Sequence, residues 1–248
     1  MCTGALPYDG VMPRFDEPLL TRPGAEVCLE LGVQPPPQRP IPDLVEPDSA
    51  PEVTDPVLED LVRISHPRIA VLENYRRAGW VHARADAWLR PSALARLVAT
   101  ADQLPDRWGL CVFDAWRPLR LQEELYDAAY GNPGLPPGFV SEPDPDPATP
   151  PPHLTGGTVD CSLTLDGIPL GLGAGFDDFT DRARADSLES EPGVNRELRR
   201  WLYWLMREVG FVVLDCEWWH FEYGTRRWAA ITGEMPLFGP AGPTVDAG

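Results

Sequence analysis

Apolar residues recur at helical spacing in three stretches of the chain. In the first, Leu94, Leu97, Val98 and Ala101 share one face, with Ser92 placed to cap it and Pro105 beyond its end. The second, over 119–130, has Pro118 near its start and Gly131 past its end, the order expected of helix boundaries. The third is the strongest: Leu198, Trp201, Leu202, Leu205, Met206 and Val209 form one stripe, with Asn195 placed to cap it and Gly210 to stop it. Elsewhere the pattern is that of strands. The apolar run 109–113 predicts a buried strand that delivers Asp114-Ala115-Trp116-Arg117-Pro118 at its C-terminal end. Over 158–166, Val159, Cys161, Leu163 and Leu165 point one way and Thr158, Asp160, Ser162 and Thr164 the other, which predicts a half-buried strand with Asp160 on its polar face. Asp166-Gly167 then marks a hairpin returning through Ile168-Pro169-Leu170, and 211–214 is a further apolar strand. Helices and strands mix without strict βαβ alternation. The fold class this predicts is α+β, a small, mainly antiparallel sheet flanked by helices.

The remaining chain is irregular, and its prolines say where. Of 30 prolines, twelve lie in residues 1–60 and nine in 131–152. Residues 1–57 predict an acidic, Pro-rich extension in extended or polyproline conformation that wraps the domain or stays loose. The domain proper is expected over 58–235, with a tail over 236–248. Segments 68–72 and 79–82 fit helix and strand equally. The Gly- and Asp-rich stretch 171–190 reads as irregular. The loop 131–152 is longer than ordinary connections, a length usually kept for function or disorder, and it runs directly into His153.

Charge narrows the class of partner. A net charge of −17 argues against nucleic acid, which is bound by clustered Lys and Arg. No apolar run reaches the eighteen residues of a membrane span, and the first residues lack the basic and apolar regions of a secretory signal. Cys2, Cys28, Cys111, Cys161 and Cys216 are odd in number and form no CxxC pair, so thiols in a reducing cytoplasm are expected.

Candidate chemistry concentrates in two places. Asp215-Cys216-Glu217-Trp218-Trp219-His220 places a carboxylate three residues before a histidine, and His153-Leu-Thr-Gly156-Gly-Thr-Val-Asp160 offers a second histidine and a second carboxylate. Hydrolytic zinc sites commonly use three protein ligands and keep a fourth position for water. His153, Asp160 and His220 supply one such set, leaving Glu217 as a base. Residues 217 and 220 are an odd number apart, so in an ideal strand they would face opposite ways, and both reach one metal only if the chain bulges or turns. His66 and His82 sit in no motif. Cys161 faces away from Asp160 by strand alternation and reads as core. Trp218 and Trp219 read as pocket wall and core, and Glu222 and Asp178 as solvated or structural.

The paired signatures resemble the SxHxxGxxxD and ExWH motifs of zinc D,D-peptidases, and the double tryptophan is most similar to the VanX-type D-alanyl-D-alanine dipeptidases. Asp114-Ala-Trp-Arg117-Pro118 resembles that family's strand-end arginine motif, and Gly175-Phe176-Asp177 a further family aspartate, all in family order over roughly 60–235. The resemblance implies one Zn2+ per chain on His153, Asp160 and His220, Glu217 as base, and Arg117 stabilising the transition state. It also implies Asp177 holding the substrate ammonium, Asp114 in the substrate site, and the zinc in a cleft on the sheet. Two positions depart from it. Pro151 stands where the family has serine, and Ile69 where it has an aromatic residue near Glu73-Asn74-Tyr75. Three functions follow: a cytoplasmic zinc dipeptidase for D-Ala-D-Ala or a similar small dipeptide, a D,D-carboxypeptidase or endopeptidase on peptidoglycan peptides, and a non-catalytic zinc-stabilised binding module. Glu217 and Arg117 speak for an enzyme, and the EWWH form for the dipeptidase.

Overall fold

A computed structural model describes residues 19–131 and 139–243. In chain order its elements are β1 (Arg22–Pro23), α1 (Gly24–Glu30), β2 (Val62–Arg63), β3 (Ile69–Val71), α2 (Asn74–Ala78), β4 (Trp88–Leu89), α3 (Pro91–Gln103), β5 (Trp108–Asp114) and α4 (Leu119–Tyr130). They continue with β6 (Thr158–Leu165), β7 (Ile168–Gly171), α5 (Val194–Glu208), β8 (Val212–Leu214), β9 (Glu217–Glu222) and α6 (Arg226–Thr232), with short 3-10 turns at His153–Thr155 and Asp181–Ala183. The class is α+β.

β6 is the hub of the main sheet. One edge pairs antiparallel with β5, and the other pairs antiparallel with β7 near Leu165 and with β9 near Thr158. β8 adds antiparallel to β9, while two edge pairs, β3 with β5 and β1 with β7, are parallel. Every β6 residue is buried, including Thr158 and Ser162, so the strand expected to be half-solvated is closed on both faces. Its polar side chains need internal partners, and Ser162 Oγ donates to Leu170 O at 2.6 Å.

Two helix starts differ from the sequence expectation, for the same reason. Arg90 precedes α3 and Pro91 takes its first position, where a missing N–H costs nothing. Ser92 is therefore inside the helix, and its N and Oγ donate to the Glu59 carboxylate at 3.2 and 2.8 Å. Asn195 lies within the first turn of α5, and its Oδ1 accepts from Ala25 N at 3.1 Å. It caps α1, a helix in the segment expected to be extended, instead of its own. Val27 and Cys28 of α1 are fully buried in the main core with Leu198, Trp201, Leu202 and Met206 of α5.

Residues 33–57 continue over the surface and are tied down at intervals. Ile41 is buried, Gln38 N donates to Glu197 at 3.1 Å, and Trp204 Nε1 donates to Arg39 O at 3.0 Å. Beyond α6, Phe238 is buried and Trp116 Nε1 donates to Ala241 O at 2.8 Å. A second, smaller apolar cluster of Tyr75, Leu121, Leu125, Ala129 and Val140, with Phe139, Phe176 and Phe179 against it, lies below the cavity described next. Among the described residues, no helix is long and apolar enough to cross a membrane.

Candidate active site

Asp160 and His220 are direct partners across the antiparallel β6–β9 pair, which sets their side chains side by side. His153 arrives from the 3-10 turn before β6, and the chain re-enters the sheet through Gly156 at φ 73° and Gly157. A Cβ on Gly157 would stand 2.3 Å from Tyr223 O, so glycine is required for β6 to approach β9 there. Glu217 reaches the same place through an irregularity: Leu214 pairs with Glu217 but Val213 with Phe221, so Trp218, Trp219 and His220 form extra chain on the β8 side. A bulge of this kind lets two residues an odd number apart face the same way.

One donor atom from each of His153, Asp160 and His220 lies within 4.8 Å of the other two, and all three residues are buried. His153 Nδ1 sits 2.7 Å from Ala115 O and donates to it, which turns Nε2 inward, 3.3 Å from Asp160 Oδ2. His220 Nε2 sits 3.2 Å from Glu222 Oε1, which leaves Nδ1 turned inward, 3.0 Å from Asp160 Oδ1 and 3.6 Å from Glu217 Oε2. Histidine metal ligands typically give their second N–H to a carbonyl or carboxylate in this way.

The donor set fits a divalent cation. Asp160 Oδ1 is buried without a hydrogen bond, because His220 Nδ1 is close to it but not aligned for one. Burial opposes charge on His220, yet the carboxylates of Asp160 and Glu222 draw its pKa up to about 10, so the site attracts positive charge strongly. Burial likewise opposes charge on Asp160, and the two histidines hold it well below the usual carboxylate range. Two imidazoles and a carboxylate suit zinc.

Glu217 is the neighbouring acid of different character. Burial, with Asp160 and Glu222 nearby and against the pull of His220 and Arg117, raises it to about 7. Arg117, also buried, donates from Nε to Asp114 Oδ2 at 2.9 Å, from Nη1 to Gln122 Oε1 at 2.8 Å and from Nη2 to Tyr75 OH at 3.2 Å. Burial works against its charge, but Tyr75, Asp114, Asp160 and Asp177 more than offset that and hold its pKa above the ordinary value. Asp114 Oδ2 also stands 3.5 Å from His153 Nδ1, so this carboxylate faces Arg117 and the histidine together.

These groups open into a cavity of ≈ 260 Å³, whose lining includes Arg117, His153, Asp160, Asp177, Glu217 and His220. Phe139, Val140, Ser141, Pro150 and Pro152 bring the described part of the long loop to its wall, while residues 132–138 lie outside the described residues. Asp177 sits at φ 55°, a left-handed conformation that Asp tolerates better than most residues. Its neighbour Phe176 anchors it, stacked on Phe113 at 4.7 Å between ring centroids and set against Tyr75 and Trp219 at 5.7 Å. Arg199 pins the rest of that irregular stretch, donating to Leu172 O at 2.7 Å, Arg182 O at 2.7 Å and Arg184 O at 2.6 Å.

Several residues fall elsewhere. Trp218 and Trp219 are core, Cys28, Cys111, Cys161 and Cys216 are buried, and Cys2 lies outside the described residues. His66 stands 3.3 Å from Asp102 and His82 3.1 Å from Glu124, both away from the cavity, and Asp178 Oδ1 accepts from Thr180 N in a local turn. Ile69 is buried in β3, opposite Leu110. Glu222 is not solvated: it is 1 % exposed, Thr225 Oγ1 donates to its Oε2, and despite burial the His220 and Arg227 side chains bring it down to about 2. From the sequence, Tyr75, Gln122 and Glu222 had no role at the site. Gln122 was traceable as a polar residue on the apolar face of α4, and Glu222 as sharing a strand face with His220 at period two.

A family model described as D-ala-D-ala dipeptidase matches residues 92–232, more than half of the chain and all of the residues from Asp114 to His220. The chain belongs to this family of peptidases. Two relatives carry the name D-alanyl-D-alanine dipeptidase. That of Synechocystis sp. (strain ATCC 27184 / PCC 6803 / Kazusa) is 28% identical over 199 residues, covering 66% of this chain and 78% of the relative. That of Escherichia coli (strain K12) is 33% identical over 118 residues, covering 46% of this chain and 54% of the relative. Tyr75 and residues 19–57 precede the part that the family model matches.

Proposed function

We propose that this D-ala-D-ala dipeptidase family member hydrolyses the peptide bond of D-Ala-D-Ala or a similar small free dipeptide, with one zinc ion held by His153 Nε2, Asp160 and His220 Nδ1. The observation that carries this reading is the single cavity in which the three buried donors, Glu217 and Arg117 meet. Zinc, when bound, supplies a Lewis acid and lowers the pKa of a water to about 7.

The protein's own groups do the rest. Glu217 takes the proton of the attacking water and passes it to the leaving amine, a task suited to a carboxyl whose surroundings raise its pKa toward neutrality. Arg117, fixed through three donors, presents positive charge where the carbonyl oxygen becomes anionic. Asp114 acts through Arg117 and His153, holding the first in place. Asp177 pairs with the substrate ammonium, since a charged amine entering a small cavity needs an anionic partner. With Pro151 in place of serine, the 150–152 wall contributes shape and no side-chain hydroxyl.

The test is a panel of free dipeptides, N-acetylated dipeptides and longer peptides of both stereochemistries, assayed with added zinc and with a chelator. Chelator-sensitive cleavage confined to small free D,D-dipeptides is expected. Equal kcat/KM on free and N-acetylated substrates would move the assignment to a carboxypeptidase. Absence of any metal-dependent hydrolysis would remove the enzymatic reading altogether.

A further inference from the structure

The Pro-rich segment before the family-matched region reaches the residues around the candidate metal site through Glu46. Its carboxylate grips the Arg227 guanidinium from both oxygens, with Arg227 Nε donating to Oε2 at 2.7 Å and Arg227 Nη2 to Oε1. The same Oε1 accepts from Asp215 N at 3.1 Å, two residues before Glu217. Arg227 Nη2 also donates to Val213 O at 2.6 Å, so Glu46 holds both the end of β8 and the start of the bulge. The side chains of Arg227 and Glu46 are only 15% and 19% exposed, which limits screening of this pair by water.

On its other side Arg227 faces the ligand support. Arg227 Nη1 is buried without a hydrogen bond and stands 3.6 Å from Glu222 Oε1, the same oxygen that lies 3.2 Å from His220 Nε2. One carboxylate oxygen is thus shared by a histidine and an arginine.

We infer that Glu46 is a positioning residue for the metal site: by holding Arg227 back and tying down Asp215, it leaves Glu222 to orient His220 and keeps the Glu217 bulge in register. Residues 50 and 51 extend the same role to the cavity wall. Ala50 lines the cavity, and Arg226 donates to Ala50 O at 2.9 Å and to Pro51 O at 2.8 Å. The segment preceding the family-matched region is therefore part of the working site. This inference rests on the reading of His153, Asp160 and His220 as a zinc site.

Glu46→Gln keeps the size of the side chain and removes the charge that competes for Arg227. Outer partners of ligating histidines typically contribute 10- to 100-fold to metal affinity or activity, and a residue one contact further out belongs at the low end, about tenfold. The experiment measures zinc affinity by competition with a chromophoric chelator, thermal stability of the metal-free proteins, and kcat and KM on the best dipeptide. Expected are zinc binding weaker by about tenfold and a lower kcat with KM little changed, with partial recovery in Glu46→Asp. Arg39→Ala serves as the control, because Arg39 holds the same segment on α5 by stacking 3.4 Å from the Trp204 ring centroid, away from the site. It should leave zinc affinity unchanged. Wild-type zinc affinity in Glu46→Gln, or equal weakening in Arg39→Ala, overturns the positioning role. Failure of the wild-type protein itself to bind zinc overturns the underlying site reading instead.

Discussion

The two sides of the cavity are built in opposite ways. On one side Asp160, His220 and Glu217 stand on β6 and β9, in paired and fully buried strands. On the other, Asp177, the 139–152 loop and residues 46–51 approach as irregular chain, held by isolated side chains such as Phe176, Arg199 and Glu46. Cross-strand pairing sets the distance between two side chains through the backbone itself, which suits groups that must converge on one ion. Loop walls are set by a few anchors each and change shape with single substitutions, which suits recognition of a particular substrate. The difference teaches where to expect loss of chemistry and where loss of selectivity.

The largest effect is expected on the sheet side. Glu217→Gln should lower kcat by about 10²–10⁴, the usual contribution of a general acid–base, while zinc content measured by atomic absorption stays near one per chain. Loss of metal together with activity would make Glu217 a ligand and collapse the distinction between it and His220. Removing a ligand by His220→Ala should instead empty the site.

Arg117 tests the junction of the two sides, since it follows β5 but leans on Tyr75 and Gln122. Arg117→Ala should reduce kcat by about 10²–10³ with less change in KM, and lysine should rescue only in part because it lacks the planar fork of donors. A change confined to KM would move Arg117 to the recognition side.

Asp177→Asn addresses that side directly. A hydrogen bond to a charged group contributes about 1.5–3 kcal/mol, so kcat/KM on the free dipeptide should fall roughly 10- to 150-fold. The N-acetylated dipeptide, already a poor substrate, should change little. Equal losses on both would show that Asp177 serves the chemistry and not the amine.

The smallest effect concerns how the irregular segments are fastened. Arg200 donates to Glu189 Oε1 at 2.9 Å, and Glu189 also accepts from Ile41 N at 3.3 Å. Burial opposes the charge of Glu189, but Arg200 and the Ile41 amide outweigh it and hold its pKa below the ordinary carboxylate value. A carboxyl depressed in the folded state adds stability above its unfolded pKa and loses it as pH falls through the folded value. The Tm difference between wild type and Glu189→Gln should therefore be present at pH 7, shrink as pH falls below the unfolded value of about 4.3, and vanish once the folded carboxyl is protonated. A difference that is the same with the carboxyl protonated as at pH 7 would mean packing, not charge, fastens the segment.

The regular elements were readable in advance because their information is local. The stripes of α4 and α5, the alternation of β6 and the Asp166-Gly167 hairpin follow from periodicity within a few residues. The 217–220 spacing called for a bulge or turn only if both residues were to reach one metal, and did not show it. Misreadings came where a distant partner decided. Asn195 caps α1 and not its own helix, because α1 packs on α5 and brings Ala25 N within reach. Glu222, read as solvated or structural, is structural: it is buried against His220, Thr225 and Arg227.

By itself the sequence determined the chemistry on offer: two histidines and an aspartate as candidate ligands, a glutamate spaced to act beside them, an arginine at the end of a strand, and a fold class of mixed helices and strands. These follow from residue type and short-range order, which need no knowledge of what lies opposite. The tertiary structure alone decided the supports, because each joins groups far apart in the chain. Asp114 reaches His153, Tyr75 steadies Arg117, and Glu46 reaches across to Arg227 beside Glu222. Buried charges and donors must find partners wherever the folded chain places them, and no local pattern encodes which distant residue will be there.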